Sequence, residues 1–173
     1  MDKLKYPIGQ FSYDESAPPS MTKQWIKEIT LLPRRLSDLV YPLNKEQLNT
    51  PYREGGWTIL QVIHHLADSH MNAYIRMKLA LTEDNPTIKP YDQDKWAELA
   101  DYKIKMDDSM ELIYGLHKRW ARVLHSLKPE QIERTFEHPE SGTWTIRKLI
   151  AQYAWHSNHH LAHIRTLKEQ KNW

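Results

Sequence analysis

Apolar residues recur every three or four positions along four stretches of this chain, and this spacing limits the fold more than any other feature of the sequence. Such a repeat places the apolar side chains on one face of an α-helix, where they can be buried. No stretch shows sustained alternation with a period of two, so we expect no sheet. Helices without a sheet bury their faces against one another, which predicts an all-α protein, a four-helix bundle with at least one long connection. The predicted helices cover about residues 21–41, 58–81, 107–127 and 145–167.

Capping residues and a proline mark features within these elements. Thr58 and Gln61 have the spacing of a capping box at the start of the second long helix, and Asn44 with Gln47 predicts the start of a short helical turn. Pro33 falls inside the first helix, and we expect it to kink that helix, because proline lacks the N–H that the helix would use.

The length of the chain predicts one domain. At 173 residues it can bury a core of its own without disulfides or a structural metal. Residues 1–20 contain three prolines and show no helical periodicity, so we expect an extended N-terminal arm there. Residues 21–173 are then expected to form a single four-helix-bundle domain.

Composition excludes several classes of protein. The chain has no cysteine, which excludes disulfides, thiolate metal ligands and a cysteine nucleophile. Its net charge of +2 comes from interspersed basic and acidic residues, so we expect no nucleic-acid partner. The N-terminus has no apolar signal segment and no run approaches about 18 apolar residues. We therefore expect a cytoplasmic protein without a membrane partner.

The histidines are concentrated in two predicted helices. Ten occur in the chain, and the two clusters are His64, His65 and His70 in the second long helix and His156, His159, His160 and His163 in the last. In the last helix, His156 and His160 continue the apolar stripe and therefore point inward, one turn apart. With a third imidazole from another helix they would form a three-histidine site for a divalent ion, leaving a position open for water.

Spacing alone does not rank the remaining histidines. His64 and His65 point about 100° apart at the two edges of the stripe, so either could be the third ligand. His159 and His163 are predicted to be peripheral, in the second ligand shell, at a pocket rim or on the solvated surface. The alternative is that all of these are ordinary helical histidines, hydrogen-bonded individually. Asp68, one turn beyond the double histidine, could orient a ligand or take a proton, or be a solvated carboxylate.

Motifs of other enzyme classes are missing. The sequence has no HExxH, no GxSxG, no ExxH pair of the di-iron carboxylate bundles and no glycine-rich phosphate loop. These absences argue against zincins, ferritin-like proteins, α/β-hydrolases and nucleotide-binding folds.

The chain resembles the DinB/YfiT-like family, and within it the YfiT-type metal-dependent hydrolases, over nearly its whole length. The segments that carry the resemblance are YPIGQF near the start, TPYREGGWT at 50–58, QVIHHLADSHMNAYIRMKLALTE at 61–83, PYDQDKW at 90–96 and YAWHSNHHLAHI at 153–164. The resemblance implies metal ligation by His65, His156 and His160. It also implies a bundle with up-down-down-up connectivity, a divalent ion that is zinc or in some members nickel, and a cytoplasmic homodimer.

Two reactions on a small-molecule substrate are compatible with such a site. In a hydrolase the ion activates water, and Asp68 and His159 are the candidate proton acceptors. Other branches of the family use low-molecular-weight thiols, as in bacillithiol S-transferases, and there the ion would bind a small thiol as its thiolate. In a third, non-enzymatic interpretation the ion only holds helices together. Three protein ligands rather than four argue against that role.

Overall fold

The computed structural model of the protein describes residues 3–173, and most of these are helical. The elements in chain order are α1 (Pro19–Val40), α2 (Lys45–Leu48), α3 (Ile59–Thr82), α4 (Gln93–Trp96), a 3₁₀ turn (Ala100–Lys103), α5 (Met106–Ser126), α6 (Pro129–Ile132), β1 (Thr135–His138), β2 (Gly142–Thr145) and α7 (Ile146–Lys171). The four long helices α1, α3, α5 and α7 form the predicted four-helix bundle.

Side-chain caps begin the helices where the sequence predicted them. The Thr58 hydroxyl accepts a hydrogen bond from the Gln61 backbone N–H, and the Gln61 side chain accepts one from the Thr58 backbone N–H. Asn44 and Gln47 form the same reciprocal pair at α2. The predicted capping box at Thr58 and the predicted helix start at Asn44 are confirmed. Both reciprocal pairs satisfy N–H groups that have no partner inside the helix.

The order of contacts along the helices gives their directions. Contacts between α3 and α5 advance along both helices together: His64 with Ser109, His70 with His117, and Met77 with Trp120. Contacts between α1 and α7 do the same: Thr22 with Arg147, Glu28 with Asn158, and Leu39 with Lys168. The two pairs are therefore parallel, while α3 and α7 run antiparallel, with His65 facing His156 and Ser69 facing Tyr153. The up-down-down-up connectivity that the resemblance implies is confirmed.

The expectation that the chain has no sheet is wrong in one place. β1 and β2 form a two-stranded antiparallel hairpin in which Phe136 is opposite Trp144. Gly142 permits the turn with a φ of 78°. Strands of four residues are too short to show sustained alternation, and Phe136 is buried against the bundle rather than against another sheet.

The N-terminal arm contacts α7. Arg147 donates hydrogen bonds to the Tyr13 hydroxyl and to the carbonyl of Ala17. Phe11 lies beside Trp155, with ring centroids 5.9 Å apart. Helix α1 begins at Pro19, slightly before the predicted end of the arm at residue 20. The division into an arm and one bundle domain remains a prediction.

The core consists of two apolar clusters. The hairpin-side cluster includes the buried residues Ile26, Ile29, Ala73, Met77, Trp120, Leu124, Phe136, Ile146 and Ile150. The loop-side cluster includes Leu32, Leu36, Val40, Ile59, Val62, Ile63, Leu66, Met110, Ile113, Leu161 and Ile164. Along α3, α5 and α7, histidines occupy the positions at or near the change from one cluster to the other. We call His65, His70, His117, His156 and His160 the histidine layer.

No helix within residues 3–173 combines the length and the apolar character needed to cross a membrane.

Candidate metal centre

Three histidines from two antiparallel helices converge in the histidine layer. His65 lies on α3, and His156 and His160 lie one turn apart on α7. One nitrogen from each ring lies within 4.8 Å of the other two, and the Nε2 atoms of His65 and His156 are 3.1 Å apart. The structure thus brings together the three residues that the resemblance implies as ligands.

The donor set fits a divalent ion. Nitrogens that ligate a tetrahedral zinc lie about 3.3 Å from one another, close to the separation of the His65 and His156 Nε2 atoms. Burial lowers the pKa of His65 to about 3 and lowers the pKa values of His156 and His160 well below the usual range, so all three rings are neutral near pH 7. Neutral imidazole is the form that ligates a metal. Each neutral ring can offer a nitrogen lone pair, and a single cation can bind all three lone pairs at once.

Two further buried histidines extend from this cluster into the core. His156 Nδ1 is 3.2 Å from His70 Nε2, and His70 Nδ1 is 3.0 Å from His117 Nε2. His117 Nδ1 donates a hydrogen bond of 2.9 Å to the carbonyl of Ile29 on α1. Burial lowers the pKa of His117 to about 4 and that of His70 well below its usual range.

Sequence reasoning assigned no role to this pair. His70 belongs to the first histidine cluster, and the sequence pattern does not single out His117. A signal was present for His70, which follows Leu66 by four residues and precedes Ala73 by three and therefore lies on the buried face of α3.

His159 and His163 lie beside the cluster, but they are buried rather than solvated. His163 Nδ1 is 3.4 Å from His160 Nδ1, and its Nε2 is 3.1 Å from the Lys5 carbonyl. His159 stacks on Trp155, with ring centroids 4.4 Å apart. The prediction that these two histidines lie on the solvated surface is wrong, because the arm and the neighbouring aromatic rings cover them. Their positions agree with the alternatives, the pocket rim and the second ligand shell.

The adjacent histidines of α3 diverge, as helical geometry requires. His64 Nδ1 lies 2.7 Å from the Ser109 hydroxyl on α5, away from the three converging rings. Asp68 accepts a hydrogen bond of 2.8 Å from the Tyr102 hydroxyl, and burial raises its pKa. Among the described residues, Asp68 is not one of those that line the cavity at the cluster.

A cavity of about 480 Å³ opens onto the converging imidazoles. Its walls combine aromatic rings with the cationic side chains of Lys5 and Arg53 and the carboxylate of Asp94. Four buried nitrogens of its lining residues have no hydrogen-bond partner among the described residues: Arg53 Nε, His65 Nδ1, Trp155 Nε1 and His159 Nδ1. The complete lining is Lys5, Tyr6, Tyr52, Arg53, Gly55, Gly56, Trp57, His65, Gln93, Asp94, Trp155, His156, His159, His160 and His163.

Converging imidazoles inside a helical bundle, below an open cavity, are typical of helical proteins that bind a metal ion. Comparison with known proteins identifies the family. Residues 28–164 match the family model described as the DinB superfamily, and the chain belongs to that family. The resemblance stated from the sequence is confirmed.

Curated relatives match the chain over almost its full length. A protein of Oceanobacillus iheyensis is 58% identical over 169 residues, covering 98% of both chains. One of Bacillus mycoides is 53% identical over 173 residues, covering 100% of both. The names of both assign them provisionally as metal-dependent hydrolases.

Solved structures share the fold. YfiT from Bacillus subtilis, described as a probable metal-dependent hydrolase with an unusual four-helix bundle topology, is 44% identical and superposes with a TM-score of 0.95 over 99% of both chains. The four-helix bundle protein TT2238 is 18% identical and has a TM-score of 0.59, covering 88% of this chain and 99% of its own. The second likeness concerns the fold alone.

Proposed function

We propose that the protein is a metal-dependent hydrolase of small molecules in which His65, His156 and His160 hold one divalent ion, zinc in the first instance and nickel as the alternative. The convergence of three neutral imidazoles at the floor of an open cavity supports this proposal most strongly. The names of the relatives that match the whole chain agree with it.

The proposed chemistry divides between the ion and the cavity. When bound, an ion with three histidine ligands and an open position lowers the pKa of a water ligand towards about 7 and polarises a carbonyl oxygen of the substrate. The cavity residues bind and orient the substrate, and the aromatic walls exclude bulk water. Arg53 Nε and Trp155 Nε1 have no partner among the described residues and can donate hydrogen bonds to substrate oxygens.

His159 is the proposed proton acceptor. Its ring lines the cavity and its Nδ1 has no partner among the described residues. Burial lowers its pKa to about 4, so the ring is neutral near pH 7 with a free lone pair, but it is a weak base and would hold an accepted proton only transiently. Asp68, the other candidate from the sequence, does not line this cavity and hydrogen-bonds to Tyr102 instead.

The test has two stages. Elemental analysis of protein purified without chelator should find about one divalent ion per chain. A panel of esters and amides is then assayed without added thiol, with His160→Ala as the inactive control and His64→Ala as the matched control, because His64 is a buried histidine of α3 outside the cluster. We expect turnover in the wild type and in His64→Ala but not in His160→Ala.

The same assay separates hydrolysis from thiol transfer. The protein has no cysteine, so a thiol in the open position would have to be an external one. Turnover that depends strictly on bacillithiol or another small thiol, with no thiol-free activity above His160→Ala, would overturn hydrolysis and support an S-transferase.

We also propose a homodimer, as the resemblance implies, and sedimentation gives its mass. A monomeric mass would contradict the dimer without affecting the metal centre.

A further inference from the structure

Three imidazoles form one hydrogen-bonded line from the backbone of α1 to the candidate metal centre. The line runs from the Ile29 carbonyl through His117 and His70 to His156, with successive separations of 2.9, 3.0 and 3.2 Å. His70 is 0% exposed and His117 is 3% exposed, and their rings lie in the interior between α1, α3, α5 and α7. We call this line the histidine relay.

The relay begins at a carbonyl that a proline leaves without its helical donor. In an α-helix the N–H of residue 33 would donate to the carbonyl of residue 29. Residue 33 is proline, which has no N–H, although α1 continues through it. The Ile29 carbonyl therefore needs another donor, and His117 Nδ1 supplies it.

This carbonyl sets the direction of every hydrogen bond in the relay. A carbonyl oxygen only accepts, so His117 Nδ1 carries the proton. A neutral imidazole has one N–H, so His117 Nε2 must accept from His70 Nδ1, and His70 Nε2 must in turn accept from His156 Nδ1. The rings of His70 and His117 stay neutral at this depth, because a charged ring without a counter-ion is costly in the interior.

We propose that His70 and His117 are positioning residues that hold His156 in the Nδ1–H tautomer, with the Nε2 lone pair aimed at the metal position before any ion arrives. The opposite tautomer would direct the Nε2 proton at His65 Nε2, 3.1 Å away, and would have to be reversed before an ion could bind. The benefit for metal binding rests on the function proposed above. The tautomer itself does not, because it follows from hydrogen bonds within the chain.

The tautomer is measured in the metal-free protein. Nitrogen-15 NMR of histidine-labelled chain near neutral pH, assigned with single-histidine variants, should show protonated Nδ1 and unprotonated Nε2 for His156, His70 and His117. A protonated Nε2 on His156 would overturn the proposal. This measurement needs no metal. A wild-type protein that binds neither zinc nor nickel would refute the proposed metal centre, and the tautomer would still be judged from the NMR result alone.

Substitution of His117 tests the coupling. In His117→Gln the amide oxygen can accept from His70 and the amide nitrogen can donate to the Ile29 carbonyl, whereas His117→Leu can do neither. We expect His117→Leu to raise the dissociation constant for zinc by about 10–100-fold, in the range usual for partners of metal-ligating histidines. His117→Gln should retain the wild-type affinity. Competition with a chromophoric chelator gives the constants, and circular dichroism verifies the fold.

The matched control is His64→Leu. His64 is also 3% exposed and also bonds to a neighbouring element, but through Ser109 and outside the relay. It should keep the wild-type affinity. Wild-type affinity in His117→Leu, equal losses in His64→Leu and His117→Leu, or a glutamine variant as weak as the leucine variant would each overturn the proposal. If His117→Leu does not fold, the NMR tautomers of the wild type decide the question.

Discussion

The two apolar clusters and the histidine layer are both buried, apart from the partly exposed His156, but they contribute to the protein in opposite ways. Leu36 in the loop-side cluster and His70 in the histidine layer are both 0% exposed. Leu36 needs only contact with other apolar atoms, whereas each nitrogen of His70 needs a partner placed within about 3 Å. Burial alone therefore does not distinguish a stabilising position from a functional one. The two are distinguished by whether the buried side chain has polar atoms that need hydrogen-bond partners in fixed directions.

The energetics of the two regions differ accordingly. Burying an aliphatic side chain contributes about 1.5–3 kcal/mol. A buried hydrogen bond contributes only about 1 kcal/mol net, and a buried polar atom without a partner costs about 1–3 kcal/mol. His65 Nδ1 is such an atom, with no partner among the described residues. Apolar side chains in place of the histidine layer would therefore stabilise the bundle more. Because the histidines do not maximise stability, a binding role is the better explanation for them.

The largest expected effect is the loss of bound metal when a ligand in the histidine layer is replaced, and histidines outside the layer should not show it. His160→Ala should abolish stoichiometric binding of zinc or nickel, because two imidazoles do not replace three. Elemental analysis after dialysis measures the loss, and His125→Ala should keep its ion. Retention of one tightly bound ion per chain by both His65→Ala and His160→Ala would show that the ligands are elsewhere.

Truncation in an apolar cluster should have the converse effect. Leu36→Ala should lower the free energy of unfolding by about 2–5 kcal/mol, because it removes buried contacts and leaves a cavity. Urea melts measure the loss. Stoichiometric metal binding should be retained, since Leu36 lies in the loop-side cluster and offers no ligand. A loss of the ion in this variant at temperatures where it is folded would contradict the division into two kinds of region.

A smaller effect concerns acid stability. The pKa of His117 is about 4 in the folded protein, below its unfolded value of about 6.5, so the unfolded chain binds the extra proton between these pH values. Stability from neutral His117 is therefore complete above pH ~6.5 and is lost as the pH falls towards 4. Between those limits the metal-free wild type should lose ~1.4 kcal/mol per pH unit more than His117→Gln. Parallel pH profiles of the two proteins in urea melts would contradict the burial of a neutral His117.

Metal removal should change the helical content least of all. The apolar clusters hold the four long helices together without the ion, so chelation should leave the far-ultraviolet circular dichroism unchanged and lower only the melting temperature. Disappearance of the helical signal at room temperature after chelation would mean that the ion has a structural role.

Patterns within single segments determined much of the fold and part of the site. Helical spacing located the four long helices, and the capping boxes at Thr58 and Asn44 were readable because their partners lie three residues away. The inward direction of His156 and His160 follows from the stripe of their own helix. The choice of His65 over His64 came from the family resemblance, because helix geometry places both at an edge of the stripe.

Only the tertiary structure decided which distant residues meet. The relay requires α3 to lie beside α5 and α5 to lie beside α1, so His70 meets His117 across 47 positions and His117 meets Ile29 across 88. The sequence shows that Pro33 removes a donor, but not which side chain replaces it. Local chemistry acts over a few residues and can be read in order along the chain, whereas neighbours across the core are selected by the packing of whole helices.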